Sequence, residues 1–161
     1  MKIAVKTIVD EWYQDYKVPS MFIAFPHCGF KCEHESGVAC CQNSSLAKAP
    51  TFQINIEDVV SRYLSNPITK AVVFGGLEPL DDYEQMLNLV AELREHTADD
   101  IVIYTGYTRD ECEERGWLET LRNYPNIIIK FGRFIPNSTP RQDDVLGLIL
   151  ASENQFAMKI S

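Results

Sequence analysis

An α/β fold, an open partial (βα) barrel of mainly parallel strands, is what this chain predicts, and three observations carry it. Short continuous apolar runs alternate with stretches whose apolar residues recur every three or four positions, the order of parallel crossover units. Four of the runs end on loops rich in cysteine or glycine: Phe25 before the cysteines, Phe74 before Gly75-Gly76, Tyr104 before Thr105-Gly106, and Phe131 before Gly132. The length of 161 residues is short of the roughly 250 that a closed eight-stranded barrel takes. It is enough to bury a core, and with no repeat or linker-like composition shift the expectation is a single domain over 1–161.

The elements follow in order. Ile3 to Val9 alternates as a strand does, and Met21 to Phe25 is continuously apolar, as a buried strand is. Between Asn55 and Leu64, the positions Ile56, Val59, Val60, Tyr63 and Leu64 hold a helical period, with Asn55 as N-cap and Asp58 in the first turn. Lys70 to Phe74 is the next strand. Asp81 or Asp82 opens a helix whose Met86, Leu89, Val90 and Leu93 share a face. Ile101 to Tyr104 is a strand, and Thr108 with Glu111 has capping-box spacing for a helix reaching about Asn123, with a break at Gly116. Ile127 to Phe131 is the fourth strand of the series, and two short strands close the chain near Leu146–Leu150 and Phe156–Ile160.

Composition narrows the function classes. The formal net charge of −8 argues against holding nucleic acid by phosphate neutralisation, which needs a basic face. No stretch approaches the roughly 18–20 apolar residues of a membrane span, and the N-terminus has neither an apolar h-region nor a small-residue cleavage site. A cytoplasmic location is expected, where clustered cysteines favour metal binding or catalysis over disulfides.

Cys28, Cys32, Cys40 and Cys41 crowd one loop, while Cys112 stands alone in a charged stretch. In parallel sheets ligands gather at the carboxyl ends of the strands, so this loop and the three glycine turns converge on one rim. Structural zinc takes four protein ligands. Here that requires both Cys40 and Cys41, whose side chains diverge in most backbone conformations, or His27 or His34 as the fourth. An iron–sulfur cluster can use three cysteines and leave one iron open. Glycine at 75 and 76 lets backbone approach a ligand closely.

The order of a strand, a Cys-x3-Cys loop, a third cysteine followed by x-Asn, and a strand ending in Gly-Gly with Glu-Pro after it resembles the radical S-adenosylmethionine (SAM) superfamily. Within it the chain is similar to the short activating enzymes of anaerobic ribonucleotide reductase and other glycyl-radical enzymes. Cys28 and Cys32 keep the first spacing of the family's Cys-x3-Cys-x2-Cys pattern, and residues 33 to 40 stretch the second. Cys41-Gln42-Asn43 fits the x-Asn pair and Cys40-Cys41-Gln42 does not, so the resemblance carries the third ligand onto Cys41. Gly75-Gly76-Leu77-Glu78-Pro79 resembles the Gly-Gly-Glu-Pro turn with one leucine inserted, and Tyr104-Thr105-Gly106-Tyr107-Thr108 resembles a segment of the reductase activators. Ser152 to Gln155 resembles a Ser-Ser-Asn-Gln segment of the same proteins, and Phe30 stands where the family has an aromatic near cluster or adenine.

The resemblance implies that Cys28, Cys32 and Cys41 hold a [4Fe–4S] cluster whose fourth iron takes the amino and carboxylate groups of SAM. Gly75, Gly76, Glu78, Pro79, Tyr104 and Thr105 would form the SAM site. One electron from the cluster would cleave SAM to methionine and a 5′-deoxyadenosyl radical, which abstracts hydrogen from the substrate. The implied partners are a glycyl-radical enzyme such as anaerobic ribonucleotide reductase and a reduced flavodoxin or ferredoxin-type donor. Two other readings compete: radical SAM chemistry on a peptide or small molecule, and a non-catalytic Fe–S or zinc protein.

Overall fold

The computed structural model describes residues 1–161. Ten strands and six helices occur in the order β1 (Lys2–Val5), β2 (Thr7–Trp12), β3 (Ser20–Phe25), α1 (Lys31–Ser36), α2 (Ser44–Lys48), β4 (Phe52–Asn55), α3 (Ile56–Leu64) and β5 (Ala71–Gly76). A 3₁₀ turn (Pro79–Asp82) leads into α4 (Tyr83–His96), then β6 (Asp100–Tyr104), α5 (Arg109–Glu114), α6 (Trp117–Leu121), β7 (Ile127–Phe131), β8 (Arg141–Asp143), β9 (Leu148–Leu150) and β10 (Phe156–Lys159). The main sheet is mixed and open, with six strands in the order β10-β7-β6-β5-β3-β2. Its four central strands are mutually parallel, and β2 and β10 close the two edges antiparallel.

Side-chain parity explains how this sheet positions a site. Ile23, Phe25, Val72, Phe74, Ile101, Ile103, Ile127 and Ile129 point to one face and join the larger core with the apolar stripes of α3 to α6. On α4 the stripe Met86, Leu89, Val90 and Leu93 is wholly buried, each residue contributing roughly 1.5–3 kcal/mol of apolar burial. The intervening residues Ala71, Val73, Val102 and Ile128 point to the other face, under Tyr16, Leu146 and Leu150. The continuously apolar strands are therefore those of a sheet covered on both sides. Toward their carboxyl ends the second face changes character. The residues in phase with Val102 and Ile128 are Tyr104 and Lys130, which are register partners.

Several expected elements take a different form. Ile3 to Val9 is two strands: β1 pairs with β4 in a separate two-stranded sheet, and β2 joins the main sheet. The chain changes sheets at Lys6, whose N–H donates to Ala24 O (2.7 Å) while its ammonium donates to Ala47 O (3.2 Å). Asn55 holds the cap position of α3 but makes no capping bond, its amide donating instead to Asp58 (3.0 Å). The Thr108–Glu111 capping box forms with both reciprocal bonds, and the helix it starts breaks at Gly116 (φ 72°) into α5 and α6. The late strand expected near Leu146–Leu150 is the second arm of the β8–β9 hairpin. No helix is long and apolar enough to cross a membrane.

Candidate metal centre and ligand cavity

A cavity of about 350 Å³ opens at the carboxyl ends of the parallel strands. Register puts its walls in line: Phe25 lies opposite Gly76, and Tyr104 opposite Lys130. Cys28, Cys32 and Cys41 line it, and so do Gly75, Gly76, Glu78, Tyr104 and Thr105. Pro79 is buried behind the wall, at the start of the 3₁₀ turn. Cys40 does not line the cavity and rests on Ser36 Oγ at 3.3 Å. Cys112 is buried in α5, its thiol pushed up to about 12 by burial.

The three cavity thiols are held in different ways. Cys28 lies three residues past the end of β3, and its Sγ accepts the Phe30 N–H at 3.2 Å. Phe30 adopts the left-handed region (φ 51°) and starts α1, which carries Cys32. The Cys41 N–H donates to Glu33 Oε1 at 2.9 Å, so the stretched segment folds back on itself. Two residues on, Asn43 Nδ2 donates to Gly76 O at 2.6 Å and ties the x-Asn pair to the Gly-Gly turn. Burial raises the Cys28 thiol, and burial with neighbouring Cys40 and Cys41 pushes Cys32 up to about 11. Metal-free, Cys28 and Cys32 are held protonated, and binding a metal there would displace the protons.

No three Cys, His, Asp or Glu side chains stand close enough to hold a single metal ion. A four-iron cube presents its irons at separate corners, so its thiolates stand farther apart than those around one zinc. Three thiols lining one cavity fit the cluster by donor type and number. Cys41 raises the thiols of both Cys28 and Cys32, while Cys40 acts on Cys32 more strongly than Cys41 does.

The glycines have a packing reason as well as a binding one. A Cβ on Gly76, at φ 85°, would sit 2.6 Å from Ala24 Cβ, and one on Gly75 would sit 2.8 Å from the Phe22 ring. Glu78 is 5 % exposed and works on backbone: Oε1 accepts from Leu80 N–H (3.1 Å), and Oε2 from Gly106 N–H (2.8 Å). It thereby joins the Gly-Gly turn to the Thr105-Gly106 turn. Burial raises its carboxyl to about 7, against the lowering effect of those bonds. Thr105 Oγ1 accepts from Tyr107 N–H (3.0 Å), and the Tyr104 hydroxyl donates to Asp15 O (2.6 Å).

Two cavity residues were not legible as functional in the sequence. Lys130 is 7 % exposed, donates to Gly132 O at 2.9 Å, and is lowered to about 8 by burial despite Glu78 and Asp15 nearby. In sequence it reads only as a polar interruption of an isoleucine strand, although an ammonium at a buried strand end is itself a signal. Arg133, 9 % exposed, also lines the cavity. It bonds Glu111 at 2.7 Å, and its Nε lies 3.2 Å from Glu35 without the alignment of a hydrogen bond. That pair brings the stretched cysteine segment onto the end of β7. Of the remaining residues, Phe30 is half-buried on the cysteine loop. Ser152 and Gln155 are buried and bond one another, and Gln155 also reaches Gly132 O (3.3 Å).

Comparison with known proteins gives a family match. A family model described as "4Fe-4S single cluster domain" matches residues 20–156, from β3 through the first residue of β10. The chain belongs to that family, one found in radical SAM-related proteins. No curated protein and no solved structure matches it.

Proposed function

We propose that this member of the 4Fe–4S single cluster family is a radical SAM enzyme, an activase that generates a glycyl radical on anaerobic ribonucleoside-triphosphate reductase or a similar partner. The observation that carries the reading is the meeting of three thiols, a Gly-Gly strand end and a buried ammonium in one cavity. Cys28, Cys32 and Cys41 would hold the cluster. When bound, the cluster supplies the electron that splits the sulfonium of SAM.

The chain's own residues do the rest. SAM carries an ammonium, a carboxylate and a nucleoside, and the cavity offers a counterpart to each polar end. The carbonyls of the Gly75-Gly76 turn would accept from the ammonium, and Lys130 would pair with the carboxylate, because a buried cation without a salt-bridge partner gains most from an anion. Glu78 keeps the two turns in register, with Pro79 starting the 3₁₀ turn behind it. Tyr104 and Thr105 form the neighbouring wall.

Size favours a macromolecular substrate. About 350 Å³ lies near the lower end of small-molecule pockets, roughly 300–1,000 Å³, which is room for one cofactor. The substrate group would then enter from outside, past the open edge of a six-stranded sheet that does not close. The acidic chain, with a net charge of −8, suits protein partners over nucleic acid, and a reduced flavodoxin or ferredoxin-type protein in the cytoplasm would supply the electron.

The test is anaerobic reconstitution followed by reduction with SAM. Formation of 5′-deoxyadenosine and methionine is expected, together with a glycyl-radical signal when a candidate reductase is added. A sample with four irons that leaves SAM intact would reduce the protein to an Fe–S module. Turnover without any glycyl-radical partner would redirect it to a peptide or small-molecule substrate.

A further inference from the structure

Cys28 has anchored neighbours on both sides. The Nδ1 of His27, the residue before it, lies 2.6 Å from Asp82 Oδ1. The His27 carbonyl accepts the Glu78 N–H at 2.9 Å. On the other side, the Gly29 N–H donates to Asp81 Oδ2 at 3.0 Å. The second oxygen of Asp81 accepts the Tyr107 hydroxyl at 2.6 Å. Two consecutive carboxylates, directly behind the Gly75–Pro79 turn, therefore join the cysteine loop, the Gly-Gly turn and the Tyr104–Thr108 segment.

The other two thiols have looser support. Cys41 is bonded through Glu33, within the same stretched loop, and Cys32 rides on the short helix α1. Asp82 also holds an uncompensated position: it is 9 % exposed, and its Oδ2 is buried with no hydrogen-bond partner. A half-satisfied buried carboxylate costs stability. Its one bond goes to the residue next to Cys28.

We propose that Asp81 and Asp82 are positioning residues of the cluster centre. Through Gly29 and His27 they hold Cys28 against the Gly75–Pro79 turn, so that its thiol keeps a set place in the cavity lining before any cluster is built. The role in iron retention rests on the family and on Cys28 as a ligand of its cluster. The role in aligning SAM rests on the reading given under Proposed function. Partners behind metal ligands of this kind are worth roughly 10–100-fold in metal affinity or activity.

The experiment compares Asp81→Ala, Asp82→Ala, Asp81→Asn and Asp82→Asn with the parent, each reconstituted anaerobically. Two quantities are read: the rate of iron loss to a ferrous chelator, and the SAM concentration that half-saturates the change in the reduced cluster's electron paramagnetic resonance spectrum. The alanine variants are expected to lose iron about ten-fold faster and to need about ten-fold more SAM. The asparagine variants retain an acceptor oxygen and are expected within about two-fold of the parent. Alanine variants that match the parent in both readouts overturn the proposal. Asparagine variants as impaired as alanine also overturn it, since charge and not position would then be the cause.

His27→Ala and Tyr107→Phe guard against loss of fold. The His27 side chain is 64 % exposed, and the tyrosine change removes one hydroxyl. Both are expected to lose iron several-fold faster, and unchanged iron loss in the two together sinks the idea. A parent cluster whose spectrum ignores SAM would defeat the reading under Proposed function, while the iron-loss comparison would still decide this one.

Discussion

Glu78→Gln separates the carboxylate's charge from its shape. Burial raises Glu78 from an ordinary value of 4.5 to about 7, so the folded protein keeps this proton to higher pH than the unfolded chain does. Its contribution to stability is complete below about pH 4.5 and is lost as pH rises through about 7. The gap between 4.5 and 7 corresponds to a loss of about 3 kcal/mol once the group is ionised, at 1.36 kcal/mol per pH unit. About 2 kcal/mol of it falls between pH 5.5 and 7.5. The amide keeps the side chain's size and one acceptor oxygen, so one of the two backbone donors, Leu80 N–H or Gly106 N–H, loses its partner. That costs about 1–3 kcal/mol at every pH. Urea unfolding of the metal-free protein across this window, parent against variant, is the assay. The parent should lose about 2 kcal/mol relative to the variant as pH rises. Parallel pH profiles would refute the idea that Glu78 is ionised at the cost of burial.

Three further outcomes are expected. Cys40→Ala should assemble the same iron content as the parent while Cys28→Ala, Cys32→Ala and Cys41→Ala lose most of it, read by iron analysis and the visible spectrum; loss in Cys40→Ala with retention in Cys41→Ala would move the third ligand to Cys40. Lys130→Met should stabilise the metal-free protein at pH 7 by up to about 3 kcal/mol, because an ammonium lowered to about 8 is charged there at the expense of burial. On the proposed function the same variant should weaken SAM binding about ten-fold or more in calorimetry, since the proposed charge-assisted bond to the carboxylate would be lost. Gly76→Ala should destabilise by at least about 1–3 kcal/mol from positive φ alone, with the 2.6 Å approach to Ala24 Cβ adding to it; a variant with unchanged urea midpoint would show that the turn relaxes freely.

Strand and helix order was legible because the apolar periods at Met21–Phe25, Ile101–Tyr104 and Ile127–Phe131 are local properties of a few consecutive residues. The capping box at Thr108 was legible for the same reason. Ile3–Val9 was not, since alternation says nothing about which partner a strand pairs with, and the switch at Lys6 depends on Ala24 and on the far end of the cysteine loop. The helices α1 and α2 lie in a stretch of small and polar residues without period, and their ties to Gly76, Arg133 and Lys6 are long-range.

By itself the sequence determined the inventory: thiols at 28, 32, 40 and 41, glycines at strand ends, and four apolar runs in a parallel order. Tertiary structure decided which of these meet. Cys41 lines the cavity and Cys40 does not; Lys130 enters it because side chains on a strand alternate and Ile128 sets the phase; Asp81 and Asp82 reach the cysteine loop across more than fifty residues of chain. Spacing along a chain fixes chemistry that neighbours do together. Contacts between strand ends arise only when the sheet brings its carboxyl edges into line, and it is there that the three cavity thiols, the buried ammonium and the carboxylates of Asp81 and Asp82 come together.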